Sequence, residues 1–322
     1  MSTQQALQTI YPGRVWPDNR GQHIQAHGGG IIRLDGAWYW FGEDRSQGND
    51  PAKRYVSCYS STDLVNWIFR NQVLATSAPE PLGEKWVLER PKVFHNAKTG
   101  KFVMYFHLDG EEYPGAPEYS AARIGIAVCD TVDGDYKYVK SFRPFGMESR
   151  DIGQFIDDDG TPYLIFESRP TGSFSIATLT DDYMDVAEEI CRIEAPLEGG
   201  AIVQYEGLYY CIGSHLTGWF PNPNKYATAP SLAGPWSEFK DFAPEQTLTW
   251  MSQSSNLIKV VGSEATTVIY VGDRWRPEEH WDGRYLWMPV KIGGGKFELP
   301  SPTTWTLDIE TGRAKITGPN YY

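Results

Sequence analysis

GGIIRLDGAWYWFGED, residues 29–44, decides how this chain is read. Apolar residues stand on both sides of Asp35-Gly36, and the second limb is aromatic (Trp38, Tyr39, Trp40, Phe41). Short apolar runs bounded by turn residues predict two strands joined by a tight turn. The pattern recurs in PKVFHNAKTGKFVMYFHLD (91–109), GQFIDDDGTPYLIFES (153–168), GAIVQYEGLYYCIGSH (200–215) and NLIKVVGSEATTVIYVGD (256–273). Each reads as a strand, a Gly-bearing turn, and a second strand rich in Tyr, Phe or Val. No long stretch carries helical periodicity.

A looser signature follows four of the hairpins: SSTDLVNW (60–67), CDTVDGDYKYV (129–139), LTDDYMDV (179–186) and APSLAGPWSEF (229–239). A turn with an aromatic ending suits the outer edge of a four-stranded unit. Repeats of this size in an all-β chain read as propeller blades. Five hairpins in 322 residues predict an all-β, five-bladed β-propeller, with residues 1–322 as one catalytic domain. Seven blades would need shorter repeats and a GH…WD signature. A double sandwich is the fallback, but would not by itself produce five related hairpins.

Composition narrows the function. A formal net charge of −12 argues against nucleic acid and against an anionic membrane surface. No apolar run is long enough to span a bilayer. The N-terminal stretch MSTQQALQTIYPGR lacks the basic start and apolar core of a signal peptide. A cytoplasmic location is therefore expected, or a secreted one if a leader has been trimmed. Cys58, Cys129, Cys191 and Cys211 show no CxxC spacing, and the six His show neither HxxxH nor HExxH. Reduced thiols, no metal and no cofactor are expected; what fills the central channel stays open. Aromatic content of 14% favours strands and suits stacking on sugar rings, so a carbohydrate is the expected partner.

The polar residue that opens each inner strand keeps a register with its turn glycine. The turn glycine stands nine positions after the opener in His27 to Gly36, Asp151 to Gly160, Glu198 to Gly207 and Gln253 to Gly262. Glu89 stands eleven before Gly100, across a longer turn. Glu194, the other glutamate of RIEAPLEGG, is thirteen from Gly207 and out of register. In a propeller the starts of the inner strands converge at one mouth. His27, Glu89, Asp151, Glu198 and Gln253 would then share a funnel, where like charges shift one another's pKa values. The plainer alternative is a set of solvated loop acids.

Local context refines the set. Glu198-Gly199-Gly200 leaves bare backbone beside the acid, open to close approach by a ligand. Arg90 follows Glu89 and is a candidate salt-bridge partner for it. Asp157-Asp158-Asp159-Gly160 reads as a hairpin turn, and Glu111-Glu112 as solvated loop. Trp219 and Trp275 lie after inner hairpins, where they either face a sugar or pack between blades.

At these residues the chain resembles glycoside hydrolase family 43, and within it subfamily 24, the exo-β-1,3-galactanases. The matching stretches are IQAHGGGI, YWFGED, VSCYSSTDLVNW, VLERPKV, SRD with DDD, SHLTGWFPNPNK, SLAGPW, TWMSQ and GDRWRP, in order from about residue 24 to 277. The resemblance implies a propeller that releases galactose from non-reducing ends with inversion. It implies Glu198 as general acid, with Glu89 and Asp151 as substrate-holding and pKa-setting carboxylates. Gln253 matches a glutamine proposed as an unusual base. Glu43 and Tyr119 match positions that contact the terminal galactose. Two stretches depart from the pattern. The wider family opens its first blade with an Asp base, where this chain has His27 in IQAHGGG. At the acid the subfamily reads LEAPGIV and this chain LEGGAIV, with the letters EAP displaced to 194–196.

Asp151 is the expected neighbour keeping Glu198 protonated near neutral pH. The base is open between Gln253, which could also position the water, and Glu89. Rival readings are an α-L-arabinofuranosidase or β-xylosidase on the same propeller, a galactose-binding propeller without catalysis, and a protein-interaction scaffold.

Overall fold

A computed structural model describes residues 7–48, 50–76, 82–83 and 86–320; the first six residues of the N-terminal stretch lie outside it. Five antiparallel sheets form the blades of a five-bladed propeller, each made of strands consecutive in the chain. Blade 1 holds β1 (His27–Leu34), β2 (Ala37–Asp44), β3 (Tyr55–Ser61) and β4 (Ile68–Ala75). Blade 2 holds β5 (Val87–Asn96), β6 (Lys101–Asp109), β7 (Arg123–Cys129) and β8 (Lys137–Phe142). Blade 3 holds β9 (Ile152–Ile156), β10 (Pro162–Ser168), β11 (Ser173–Leu179) and β12 (Val186–Ile193). Blade 4 holds β13 (Leu197–Tyr205), β14 (Leu208–His215), β15 (Lys225–Ala229) and the short β16 (Lys240–Asp241). Blade 5 has three strands, β17 (Gln253–Val261), β18 (Thr266–Arg274) and β19 (Arg284–Pro289). Two small hairpins follow, β20 (Lys291–Gly293) with β21 (Lys296–Glu298) and β22 (Thr303–Asp308) with β23 (Arg313–Asn320).

All five hairpins read from the sequence are the first two strands of a blade. The looser signatures fall at the connection between third and fourth strands of blades 1 to 4. Periodicity explains the order within a blade. Inner strand β5 is buried along its length except at His95, whereas outer strand β4 alternates exposed and half-buried residues over its first five positions. A strand covered on both faces reads as a continuous apolar run, and one covered on a single face alternates. The turns Asp35-Gly36 and Glu206-Gly207 place two successive residues at positive φ. That geometry matches the twist of the flanking strands and gives two-residue hairpins.

The inner strands pack in sequence around the axis, β1 on β5, β5 on β9, β9 on β13, β13 on β17, and β17 back on β1. Small residues let them meet: a Cβ on Gly153 would run into the carbonyl oxygen of Gly200. Aromatic rings close the seam between blades 1 and 5. Trp40 of β2 lies 4.8 Å from Trp287 of β19 and 5.2 Å from Trp67, and Trp16 lies 5.2 Å from Trp287. Such pairs add about 0.5–1.5 kcal/mol each beyond their burial. The N-terminal segment crosses this seam, bridging Ile10 to Trp305 of β22 and donating from Gly13 N to the Tyr285 carbonyl (2.8 Å). Cys58 and Cys211 are buried, Cys129 and Cys191 half-buried, and all four are free thiols.

Candidate active site

Antiparallel pairing sets the start of each inner strand beside the end of the second strand. His27 lies opposite Glu43, Glu89 opposite His107, Glu198 opposite Ser214 and Gln253 opposite Asp273. The β9–β10 register ends with Ile152 opposite Phe166, which brings Asp151 alongside Glu167. Each blade thus sends two polar side chains to one end of the ring. Register slips follow at the starts of β1, β5, β13 and β17. Such bulges bend a strand and re-aim its side chains. In three blades the residue after the opener is left-handed: Gly28 (φ +59), Arg90 (φ +49) and Gly199 (φ +63). Glycine suits that conformation, while an arginine there stores about 1–3 kcal/mol of strain.

These side chains line a cavity of about 230 Å³. Its walls are Glu43, Glu89, Arg90, His107, Tyr119, Asp151, Arg169, Glu198, Gly218, Trp219, Gln253 and Trp275. Drug-sized ligands occupy roughly 300–1,000 Å³. The smaller volume suits one sugar ring. Trp219 and Trp275 meet edge to face at 4.9 Å, forming an aromatic side to the wall.

Glu198 and Gln253 meet here across blades 4 and 5. Gln253 Nε2 donates to Glu198 Oε1 and to Ser214 Oγ, both at 3.0 Å. Gln253 Oε1 accepts from Arg90 Nη2 (2.6 Å) and from the indole of Trp275 (2.7 Å). Both ends of the amide are committed, and its orientation is fixed by two obligate donors on the oxygen. Burial, then the charge of Asp151, push the Glu198 carboxyl up to about 8, against the pull of Arg90 and Arg169. Asp151 was the neighbour expected from the sequence; desolvation is the larger cause.

Arg90 ties the site together. Its Nε meets Asp151 Oδ2 at 2.6 Å, its Nη1 donates to the Ser254 carbonyl at 3.1 Å, and its backbone N–H donates to Glu43 Oε1 at 3.1 Å. Burial alone would disfavour its charge, but Asp151, Asp273 and Glu198 outweigh that and raise its pKa. The adjacent-residue salt bridge with Glu89 does not form, because the left-handed turn at Arg90 sends the guanidinium toward blades 3 and 5.

Glu89 has other partners. The Tyr119 hydroxyl donates to its Oε1 (2.8 Å), and His107 Nδ1 lies 3.2 Å from its Oε2. His107 Nε2 in turn meets Asp109 Oδ2 at 2.9 Å. Burial works against charge on both Glu89 and His107. Pairing outweighs it: His107, then Arg45 and Tyr119, hold Glu89 at about 2. Asp109 and Glu89 hold His107 at about 10. Glu89, His107 and Asp151 offer atoms within 4.8 Å of one another, a spacing that could take a cation. In this arrangement both ring nitrogens of His107 face carboxylates, Nδ1 toward Glu89 and Nε2 toward Asp109. Glu43 is bonded by Arg45 Nη2 (2.7 Å); burial raises its carboxyl, with Arg45 offsetting part of the effect.

Of the residues singled out in the sequence, Glu198, Gln253, Glu89, Asp151, Glu43, Tyr119, Trp219 and Trp275 all line this cavity. His27 does not. It is buried, stacked on Tyr285 at 4.9 Å, and packed 5.8 Å from Trp275. The indole it packs against forms the wall, and His27 supports it from outside. The glycines after Glu198 also serve packing: a Cβ at Gly199 would lie 2.7 Å from the Ser254 carbonyl oxygen, and one at Gly200 would enter the Phe174 ring. Protein fills the space expected for ligand approach. Glu194 is exposed in the β12–β13 connection, Asp157–Gly160 form the turn between β9 and β10, and Glu111 and Glu112 are exposed. His107, Glu167, Ser214 and Arg169 escaped the sequence reading. Pairing each opener with its partner across the hairpin would have found the first three.

The chain from 29 to 256 matches the model of glycosyl hydrolases family 43. No curated protein matches it. Among solved structures, it is 39% identical to an exo-β-1,3-galactanase variant from Phanerochaete chrysosporium crystallised with β-1,3-galactotriose. That match covers 97% of this chain and 71% of the other, with a TM-score of 0.88. An exo-β-1,3-galactanase from Clostridium thermocellum is 33% identical, over 98% of this chain and 70% of the other, at a TM-score of 0.87. A putative exo-β-1,3-galactanase from Bifidobacterium bifidum is 35% identical, over 90% and 96%, at 0.81. A five-bladed propeller whose acids gather at one mouth, and a family match over most of its length, place this chain in glycosyl hydrolases family 43, as a glycoside hydrolase.

Proposed function

We infer that this glycoside hydrolase is exo-acting and releases galactose, with inversion, from the non-reducing ends of β-1,3-linked galactans or galacto-oligosaccharides. One observation carries the mechanism. In a cavity sized for a single ring, Glu198, bonded by Gln253, is buried beside Asp151, which pushes its carboxyl up, while His107 and Tyr119 hold Glu89 and pull its carboxyl down. Environments that push two carboxyls apart in this way divide acid from base. Glu198 keeps its proton at neutral pH and delivers it to the leaving oxygen. Glu89 stays ionised, oriented by Tyr119 and His107, and takes the proton of the attacking water. Gln253 has its carbonyl oxygen filled by Arg90 and Trp275. An imidic tautomer would place an O–H against those two donors, so Gln253 positions Glu198 instead of taking a proton. Arg90 and Asp151 hold that arrangement, and Trp219 and Trp275 offer faces to the apolar side of the sugar.

Two measurements check the reading. Incubation with β-1,3-galactotriose is expected to yield galactose and galactobiose first, with the new galactose as the α-anomer by NMR. Release of arabinose or xylose from a nitrophenyl glycoside panel, with galactosides untouched, would assign one of the rival exo-glycosidases. The pH profile supplies the second. Activity needs Glu198 protonated, so kcat/KM is expected to fall as pH rises through about 8. Glu89, held near 2, keeps its charge on the acid side of neutrality, so no loss is expected there from this group.

A further inference from the structure

Glu198 has a donor on each oxygen. Gln253 Nε2 faces Oε1 at 3.0 Å, and Arg169 Nη2 faces Oε2 at 3.2 Å. The amide cannot turn over, because Arg90 and Trp275 both donate to its oxygen. Oε1 is therefore committed as the acceptor, and the acid proton belongs on Oε2. That is where Arg169 sits. A guanidinium has only N–H donors and cannot accept from a carboxyl O–H. A protonated Oε2 keeps a lone pair for Arg169, but a glycosidic oxygen that takes the place of the Arg169 N–H on Oε2 displaces it.

The position of Arg169 says where it goes. It begins the four-residue turn Arg169–Gly172 between β10 and β11, with Gly172 N donating to its carbonyl (3.1 Å). Its side chain is 44% exposed, while the Glu167 and Glu198 carboxylates it bridges are almost fully buried. Its Nε lies 3.4 Å from Glu167 Oε1, so Glu167 can hold one edge of the fork while the other swings. With the terminal ring in the enclosed cavity, a glycosidic oxygen that receives the Glu198 proton has to reach Oε2, and the half-exposed Arg169 marks the solvent side on which the leaving sugar would extend.

We propose that Arg169 is a positioning residue for the leaving sugar: it covers Glu198 Oε2 in the empty enzyme, then pivots on Glu167 to the hydroxyls of the second galactose. The proton on Oε2 passes to the glycosidic oxygen as the bond to the anomeric carbon breaks. Arg169 thereby couples occupancy of the leaving side to the readiness of the acid, and favours a sugar aglycone over an apolar one. This rests on Glu198 being the acid.

The charged and polar groups facing Glu198 are Asp151 before β9, Arg90 of β5, Glu167 of β10, Arg169 itself, Gln253 of β17 and Ser214 of β14. Removing Arg169 deletes a positive charge that favours the carboxylate, so the carboxyl titrates higher. For Arg169→Ala we expect the alkaline limb of kcat/KM to move up by about half a unit. KM for β-1,3-galactobiose should rise about tenfold, as loss of a charge-assisted hydrogen bond implies. The inhibition constant of free galactose, which lacks the second ring, should rise by much less than the KM for galactobiose. Arg169→Lys should return the limb to its wild-type position by restoring the charge. If KM and the galactose constant rise together, or the limb does not move, the proposal is overturned. Full galactobiose hydrolysis by Glu198→Gln would instead remove the acid assignment beneath it. A wild-type enzyme that leaves galactobiose intact would remove the functional reading, and the proposal with it.

Discussion

Glu198→Gln is expected to lower the rate of β-1,3-galactobiose hydrolysis by about 10²–10⁴-fold with the fold intact. That range is the usual worth of a positioned general acid. The amide has the shape of the carboxyl but no acidic proton, and a sugar leaving group departs poorly without one. An aryl galactoside with a good leaving group should lose much less, since its departure needs little protonation. The control is Glu194→Gln, four residues upstream, exposed in the β12–β13 connection and expected to stay within twofold of wild type. Steady-state rates on both substrates and circular dichroism check the set. If Glu194→Gln abolishes activity and Glu198→Gln does not, the register argument fails. Glu89→Ala completes the pair. As the base variant, it should lose galactobiose hydrolysis and regain turnover with azide, giving galactosyl azide of inverted configuration. Azide rescue of Gln253→Ala alone would return the base role to that residue.

Arg90→Gly is expected to cost about 3–5 kcal/mol of stability and nearly all activity. Removing one partner of a buried pair leaves the other as an uncompensated charge. Here the orphan would be Asp151, with Gln253 Oε1 and the Ser254 carbonyl losing donors as well. Glycine is the informative replacement because Gly28 and Gly199 hold the matching positions of blades 1 and 4 at the same left-handed φ. It relieves backbone strain while deleting the guanidinium, so a loss can be charged to the side chain alone. Urea unfolding measures the stability and galactobiose turnover the activity. A loss below about 1 kcal/mol would mean that the backbone turn, not the ion pair, had been the costly element.

Much of this was legible in the sequence because strands write their own pattern. Period-two and continuous apolar runs, each with a turn glycine, gave five hairpins and hence five blades. The nine-residue count from opener to turn glycine then chose Glu198 over Glu194, against the displaced letters EAP. That count works because a two-stranded hairpin transmits register rigidly from its turn to its mouth. It does not say which way the opener's side chain turns or what packs against it. His27 keeps the count yet lies behind Trp275. Gly199 and Gly200, read as room for a ligand, are room for Ser254 and Phe174.

The sequence alone determined the all-β repeat, the blade count and the set of acids that meet at one mouth, since each depends on local spacing within one hairpin. Partners were decided only by the tertiary structure. Arg90 follows Glu89 in the chain but reaches to Asp151 and Gln253, while Glu89 takes Tyr119 and His107. Those contacts join residues from different blades, or from a blade and a distant loop, and no periodicity within a strand encodes them. The same holds for the division we infer between Glu198 and Glu89. Closing the ring buries Glu198 beside Asp151, which pushes its carboxyl up, and places His107 against Glu89, which pulls that carboxyl down.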